Sequence, residues 1–554
     1  MKQPAVSLLA LSLSLVLHPA LAAKPPQIDP ERLSQDVKVL SSDEFEGRGP
    51  ATAGETRTVD YVVAQLKAAG VQPGGDLKDG KREWTQAVPL ARSEITGTPQ
   101  LSVTAGGRTQ ALTQGEQIAV RAAQDGTTSV DIANAPLVFL GYGVKAPERG
   151  WDDFKGVDLK GKIAVVLIND PDFEGGEGDF GGKAMTYYGR WTYKYEEAAR
   201  QGALGLLIVH ETEPASYGWA TVKNSNTNTM FDVVRDDPAS VHPTLEGWIQ
   251  RDFAQQLFKS AGQDFDALKA QARTKAFKPV ELKGATLSAK YDVKREIITS
   301  HNIVGRIEGA RRPDETVVYS AHWDHLGVGQ PDAKGDSIYN GAVDNATGTA
   351  ALIELGRAFA KAPKPDRSVV FLAVTAEEKG LLGSEYYASK PLYPLGKTVA
   401  VLNMDALDPH GPARNFTTSG SAKQELLDEL VATAQQQWKL DYVTDPKPEA
   451  GHFFRSDHFP FAKRGVPAVS FGSGNDLVDG GLEAGKKMEE AYVADRYHQP
   501  ADEWEADWTF TGMERDLQLL YTVGRDLADS DRWPNWDASS EFRAARDASA
   551  AERK

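Results

Sequence analysis

His322, Asp344, Glu378, Asp405 and His498 form one ordered series of metal-binding residue types, and Glu377 stands directly before one of them. Two imidazoles and three carboxylates make a donor set for two divalent cations that share one carboxylate. A free glutamate beside such a set can serve as the base that takes a proton from an attacking water. The chemistry this inventory supports is metal-assisted hydrolysis. A covalent nucleophile is not needed, and the chain has no cysteine and no G-x-S-x-G turn.

Each piece alone is ambiguous. In Ala321-His322-Trp323-Asp324, the aspartate can hold the second ring nitrogen of His322, but an isolated His-x-Asp is more often structural. Asp344 and Asn345 lie in Asn340-Gly341-Ala342-Val343-Asp344-Asn345-Ala346-Thr347-Gly348 just before a helix, a place that suits capping as well as bridging two cations. The adjacent Glu377 and Glu378 must point apart, so one can ligate while the other reaches water. Two solvated glutamates opening a helix are the bland alternative. Asn403-Met404-Asp405 offers a terminal carboxylate, and Tyr497-His498-Gln499-Pro500 the last imidazole. Asp457 and His458 either approach the site from the Ser456 loop or make ordinary loop hydrogen bonds. The phenols of Tyr492 and Tyr497 either meet an oxyanion or pack with a wet tip. Trp323 walls a pocket or fills the core. His325, His410 and His452 carry no assignment.

The elements that must position these residues follow an α/β pattern from Asn302 onward. Apolar runs predict strands at Val317–Ser320, Ser368–Thr375, Val399–Met404 and Pro467–Phe471. Helices are predicted over Gly348–Ala360, Glu378–Ser389 and Ala422–Trp438. Alternation of the two implies a mostly parallel sheet covered on both faces, with ligands bound beyond the carboxyl ends of its strands. His322, Glu377, Glu378 and Asp405 all fall just past such ends. Upstream, Pro30–Leu40 and Thr56–Ala69 read as helices. Residues 96–290 differ in texture, with short strands at Leu101–Thr104, Leu137–Leu140, Ile163–Ile168 and Leu206–Val209 between glycine-rich turns, and a helix at Tyr195–Gln201. None of the six residues lies there, so this stretch reads as an insertion.

A chain of 554 residues is too long for one ordinary core, which suggests two domains. A net charge of −16 argues against a sequence-independent nucleic-acid partner. Met1-Lys2, the apolar run Val6–Leu17 and Ala20-Leu21-Ala22 read as a secretory signal peptide over residues 1–22. That run is short for a bilayer span and no later one is longer, so no membrane span is expected after cleavage. Export to a periplasm or to the medium follows, from a bacterial source.

Together, His322-x-Asp324, Val343-Asp344-Asn345-x-x-Gly348, Glu377-Glu378, Asn403-Met404-Asp405 and Tyr497-His498 resemble the motifs of the secreted co-catalytic di-zinc aminopeptidases. Their superfamily also holds glutamate carboxypeptidase, glutaminyl cyclase and the transferrin receptor. Ser456-Asp457-His458-x-Pro460-Phe461 and Gly465-Val466-Pro467-Ala468 are similar to its segment before the last strand. The resemblance covers residues 30–95 and 295–530 as a discontinuous peptidase domain, and residues 96–290 are similar to a protease-associated domain; residues 531–554 remain as a helical or unstructured tail. It implies an α/β fold with a mostly parallel mixed sheet flanked by helices. It also implies two zinc ions, replaceable by cobalt or manganese, with Asp344 bridging, Glu378 and His498 completing one ion, and His322 and Asp405 the other. Glu377 is then the general base, Asp324 supports His322, and the Asp344–Asn345 peptide is cis. Peptides with a free N-terminus are the implied substrates. A carboxypeptidase or dipeptidase differs in the substrate terminus it recognises. A one-zinc glutaminyl cyclase is disfavoured by the five-ligand set, and a metal-free receptor by retention of the ligands and the base. The sequence sets neither side-chain preference nor oligomeric state.

Overall fold

The computed structural model describes residues 27–175, 178–420 and 422–553. The signal peptide expected over residues 1–22 lies outside them. In chain order the main strands are β1 (Thr85–Ala105), β2 (Ser129–Phe139), β3 (Ile163–Leu167), β4 (Gly205–His210), β5 (Leu245–Gln250), β6 (Val280–Ile307), β7 (Arg312–His322), β8 (Arg367–Val374), β9 (Thr398–Met404), β10 (Asn415–Thr418) and β11 (Ala468–Ser473). The helices that matter here are α1 (Pro30–Leu40), α2 (Ala53–Ala69), α3 (Trp191–Arg200), α4 (Gly348–Lys361), α5 (Leu382–Ser389), α6 (Gly481–Asp495) and α7 (Thr511–Asp529).

These strands join one continuous mixed sheet in the order β10-β11-β9-β7-β8-β6-β2-β3-β4-β5. β7 pairs parallel with both β8 and β9, and β9 parallel with β11. Such strands are buried on both faces, which is why Val369 to Val374 reads as an unbroken apolar run. Alternation still sorts the faces. Val317, Tyr319 and Ala321 of β7, with Val369, Phe371 and Ala373 of β8, pack against Leu33 of α1, Leu66 of α2, Leu352 of α4 and Leu520 of α7. Val318, Val370, Leu372 and Val374 enter the opposite core with Tyr387 and Phe461. The sheet is thus flanked by helices, as the sequence predicts.

Residues 96–290 supply β2 to β5, whose neighbours pair parallel. α3 lies between β3 and β4 in the chain and covers them. The positions at which the sequence texture changes, near 95 and 290, fall inside β1 and β6. These two long strands pair antiparallel from Thr85 opposite Ile303 to Thr104 opposite Thr286, with an irregularity between Lys290 and Asp292. β6 pairs with β8 at one end and β2 at the other, so one ribbon ties both halves of the sheet.

Two local differences from the sequence pattern bear on the site. The helix predicted over Glu378–Ser389 begins only at Leu382. Ala376, Gly380 and Leu381 adopt left-handed backbone (φ 54, 113 and 62°), which a right-handed helix cannot accommodate. Glu377 and Glu378 therefore lie on a turn rather than in a first helical turn. Within residues 531–554, Trp536 is buried, with Nε1 donating to Gly465 O at 2.9 Å, and Arg546 donates to Thr398 O at 2.9 Å. Among the described residues no helix is long and apolar enough to cross a membrane.

Candidate metal centre

β7, β8 and β9 end side by side, and their carboxyl ends carry the chemistry. His322 is the last residue of β7, Glu377 and Glu378 follow β8, and Asp405 follows β9. Asp344 comes from the loop before α4, and His498 from the segment after α6. The Asp344–Asn345 peptide is cis. Glycines make that loop possible. A Cβ on Gly341 (φ 57°) would lie 2.3 Å from Asp344 O and 2.5 Å from the His325 ring, and one on Gly348 would lie 2.3 Å from Asn345 Oδ1.

The two oxygens of Asp344 face different groups. Oδ1 lies 3.3 Å from His322 Nε2, which is 3.1 Å from Asp405 Oδ1. Oδ2 lies 3.2 Å from His498 Nε2, which is 3.2 Å from Glu378 Oε2. His325 joins the second group, its Nδ1 2.6 Å from Glu378 Oε1. His322, Asp344 and Asp405 bring ligand atoms within 4.8 Å of one another, as do His325, Asp344 and Glu378. His325 carried no assignment from sequence, because a lone histidine one residue past Asp324 has no pattern of its own.

This donor set fits metal ions. Buried carboxylates are costly unless a cation neutralises them. Burial pulls the His322 imidazole down, yet Asp405, Glu377 and Asp344 outweigh it and hold it well above its usual range. Burial pushes the Asp344 carboxyl up, but His322 and His498 hold it well below. The cluster thus demands positive charge at the points where its nitrogens and oxygens converge. Nitrogen and oxygen donors without thiolate suit zinc, cobalt or manganese.

A surrounding shell orients the donors. His322 Nδ1 is 3.1 Å from the Asp324 backbone carbonyl, whereas the Asp324 carboxylate is 3.8 Å away. The support expected from the Asp324 side chain comes from its main chain. Its Oδ1 instead accepts the Glu377 N–H at 3.1 Å. Ser456 Oγ donates to Asp405 Oδ2 at 2.6 Å and itself accepts from Asn403 at 2.8 Å. Asn345 bonds Met404 O, and its Oδ1 accepts from Gly348 N and Ala406 N. Arg48, fully buried, donates to the carbonyls of Leu40, Asn340, Gly341 and Trp323. Asp502 accepts the N–H groups of Val343 and Asp344. Neither Arg48 nor Asp502 was legible as a site residue, since both act on backbone.

Burial is the main cause holding the Glu377 carboxyl well above the usual range, aided by Asp405 and Glu378. Among the described residues nothing donates a hydrogen bond to that carboxyl. Asp457 is buried, bonded to Ser384 at 2.5 Å, and burial pushes it up to about 7. His458 packs edge-on against Phe453 at 4.6 Å, and burial holds it down to about 3. Tyr497 stacks on the His498 ring at 4.0 Å, and Tyr492 OH is 3.5 Å from Asp502 Oδ2. Trp323 is buried in the core.

Residues 302–522, which carry every residue of this cluster, match the Peptidase family M28 model. They are an M28 peptidase domain. The chain is 35% identical over 128 residues to the Aminopeptidase NAALADL1 of Mus musculus, covering 22% of this chain and 16% of that protein. It is 26% identical over 318 residues to Leucine aminopeptidase 2 of Arthroderma otae, covering 54% of this chain and 58% of that one. The match thus spans less than two thirds of either relative. Among solved structures, the aminopeptidase from Aneurinibacillus sp. strain AM-1 is 19% identical with a TM-score of 0.48, covering 92% of this chain and 96% of its own.

Proposed function

We propose that this protein is an exported aminopeptidase that holds two zinc ions and hydrolyses the N-terminal bond of peptides. The observation that carries the reading is the division of Asp344, with Oδ1 beside His322 and Asp405 and Oδ2 beside His498 and Glu378. His322, Asp344 and Asp405 would hold one ion, and Asp344, Glu378 and His498 the other. When bound, the ions supply Lewis-acid polarisation of the scissile carbonyl and of water. Glu377, whose carboxyl accepts no hydrogen bond among the described residues, takes the proton from the attacking water and delivers it to the leaving amine. The Asp324 carboxylate fixes the Glu377 main chain, and Ser456 fixes Asp405. Tyr497, stacked on His498, closes one wall. Residues 1–22 are read as a signal peptide, and residues 96–290 as a protease-associated-like unit beside the site. The aminopeptidase assignment, rather than that of a carboxypeptidase, draws on the names of the relatives.

The test is release of free amino acid from unblocked and N-acetylated peptides, with Glu377→Gln and a chelated sample beside the wild type. Release from unblocked peptides alone, lost in both controls, supports the reading. Cleavage of N-acetylated peptides from the other end replaces it with a carboxypeptidase.

A further inference from the structure

A cavity of about 370 Å³ opens between the metal centre and residues 96–290. Glu377, Glu378 and His498 line it together with Arg190, Trp191 and Phe231. Its charges are unevenly matched. The carboxylates remote from the metal centre all have cations: Glu196 pairs with Lys463, Asp232 with Arg235 and His242, and Glu385 with Arg235 and Arg464. Arg121 pairs with Glu246.

Arg190 is the exception. It is only 9% exposed, yet among the described residues no carboxylate or carbonyl accepts from its guanidinium. Its Nε is fully enclosed and has no partner. Arg455 stands near it, also without a carboxylate partner, held only by Nη2 to Ala450 O at 2.6 Å. Burial first, and Arg455 second, depress the Arg190 guanidinium to about 10. A buried, unpaired guanidinium is costly in a folded protein. A planar fork of donors facing a cavity is suited to a carboxylate, which it can bind through two parallel hydrogen bonds.

The geometry points to a carboxylate-binding subsite at Arg190, assisted by Arg455, that seats an acidic group of the substrate in the cavity shared with the metal centre. This rests on the peptidase reading and narrows its substrates to peptides that bring a carboxylate to this cavity. The carboxylate is either the peptide's own C-terminus, within reach across one small cavity, or an acidic side chain next to the scissile bond. Arg190 is a binding residue here, and it takes no part in bond breaking.

The probes are Leu-Gly, Leu-Gly amide and Leu-Asp amide. Each is titrated calorimetrically into zinc-loaded Glu377→Gln protein and into the Glu377→Gln/Arg190→Gln double variant. Hydrolysis of the same peptides is followed with wild type, Arg190→Gln and Arg190→Lys. One charge-assisted pair predicts Leu-Gly binding about tenfold tighter than its amide. That ratio falls to about one without Arg190 and recovers partly in Arg190→Lys, with the change in KM rather than kcat. A preference for Leu-Asp amide over Leu-Gly amide instead assigns the subsite to a side chain. The melting temperature of Arg190→Gln should not fall, because the lost charge has no partner to strand; a purely structural arginine would lower it. Equal binding of all three peptides, or a preference that survives Arg190→Gln, overturns the subsite. Preferential binding without hydrolysis by wild type keeps the subsite and discards the peptidase reading.

Discussion

The Asp344 N–H donates to Asp502 Oδ2 at 3.1 Å, so the carboxylate that faces both halves of the centre is held from behind by a second carboxylate. Asp502 also accepts the Val343 N–H, and its own carbonyl accepts from Ala342. Three consecutive residues of the loop are thereby fixed by one residue four positions beyond His498, two of them by its side chain. Groups that orient a ligand typically cost about 10- to 100-fold in metal affinity when removed. Asp502→Ala is therefore expected to lose zinc by about that factor. Competition with a coloured chelator measures it, and unchanged affinity would show that the loop holds its shape unaided.

Among the described residues the Glu377 carboxylate pairs with neither His322 nor His498 and accepts no hydrogen bond, while Glu378 is 3.2 Å from His498. The two neighbours should therefore separate cleanly on mutation. Glu377→Gln is expected to keep its metal and lose about 100- to 10,000-fold in kcat. Glu378→Gln should lose metal first. Metal content by mass spectrometry beside steady-state rates distinguishes them, and equal metal loss in both variants would remove Glu377 from the role of base.

Much of this arrangement was legible because its residues sit where secondary structure ends. His322 and Asp405 follow apolar runs whose burial on both faces makes β7 and β9 unmistakable, and Asp344 lies between glycines that a tight loop requires. The turn at Glu378 was misread as helix because left-handed backbone at Gly380 and Leu381 is invisible in a stretch whose other residue types ordinarily favour helices. His325 was passed over because its partner, Glu378, comes from another strand end 53 positions away. Arg48 and Asp502 were missed for a different reason. They bind main-chain atoms, so nothing in their neighbours' identities advertises them. The continuity of β1 and β6 was hidden by stretches without a buried residue, Glu94 to Gln100 in β1 and Lys294 to Thr299 in β6, which interrupt the apolar alternation on which strand recognition depends.

Arg48 shows how much structure such a silent residue can hold. It is fully buried and bonds four carbonyls, those of Leu40, Asn340, Gly341 and Trp323, thereby tying α1 to the Asp344 loop and the end of β7. Burial holds its guanidinium down to about 10, still charged at neutral pH. Replacing it with methionine strands those carbonyls away from water, at a cost of about 1–3 kcal/mol for each one left unsatisfied. Arg48→Met is expected to lose at least about 3 kcal/mol of stability. Urea unfolding measures this, and a loss under about 1 kcal/mol would mean that water replaces the guanidinium.

His242 should make stability depend on pH outside the metal centre. Its Nδ1 is 2.7 Å from Glu246 and its Nε2 3.1 Å from Asp232, which also binds Arg235, and Arg235 reaches Glu385 of α5. Burial lowers the imidazole, but Glu246 and Asp232 outweigh it and raise it to about 9 from the model-peptide 6.5. The folded state therefore holds this proton more tightly than the unfolded chain. The stabilisation is complete below about pH 6.5 and is lost as pH rises through about 9. Asp232, whose carboxyl is held down to about 2 against burial by His242 and Arg235, contributes in the opposite sense, losing its share only in strong acid. Between pH 6.5 and 9 the unfolding free energy is expected to fall by at most on the order of 1 kcal/mol per pH unit. His242→Gln should flatten that slope while lowering stability at pH 6. Chelated samples unfolded in urea across this range keep metal loss out of the comparison, and a slope unchanged by His242→Gln would place the proton uptake elsewhere.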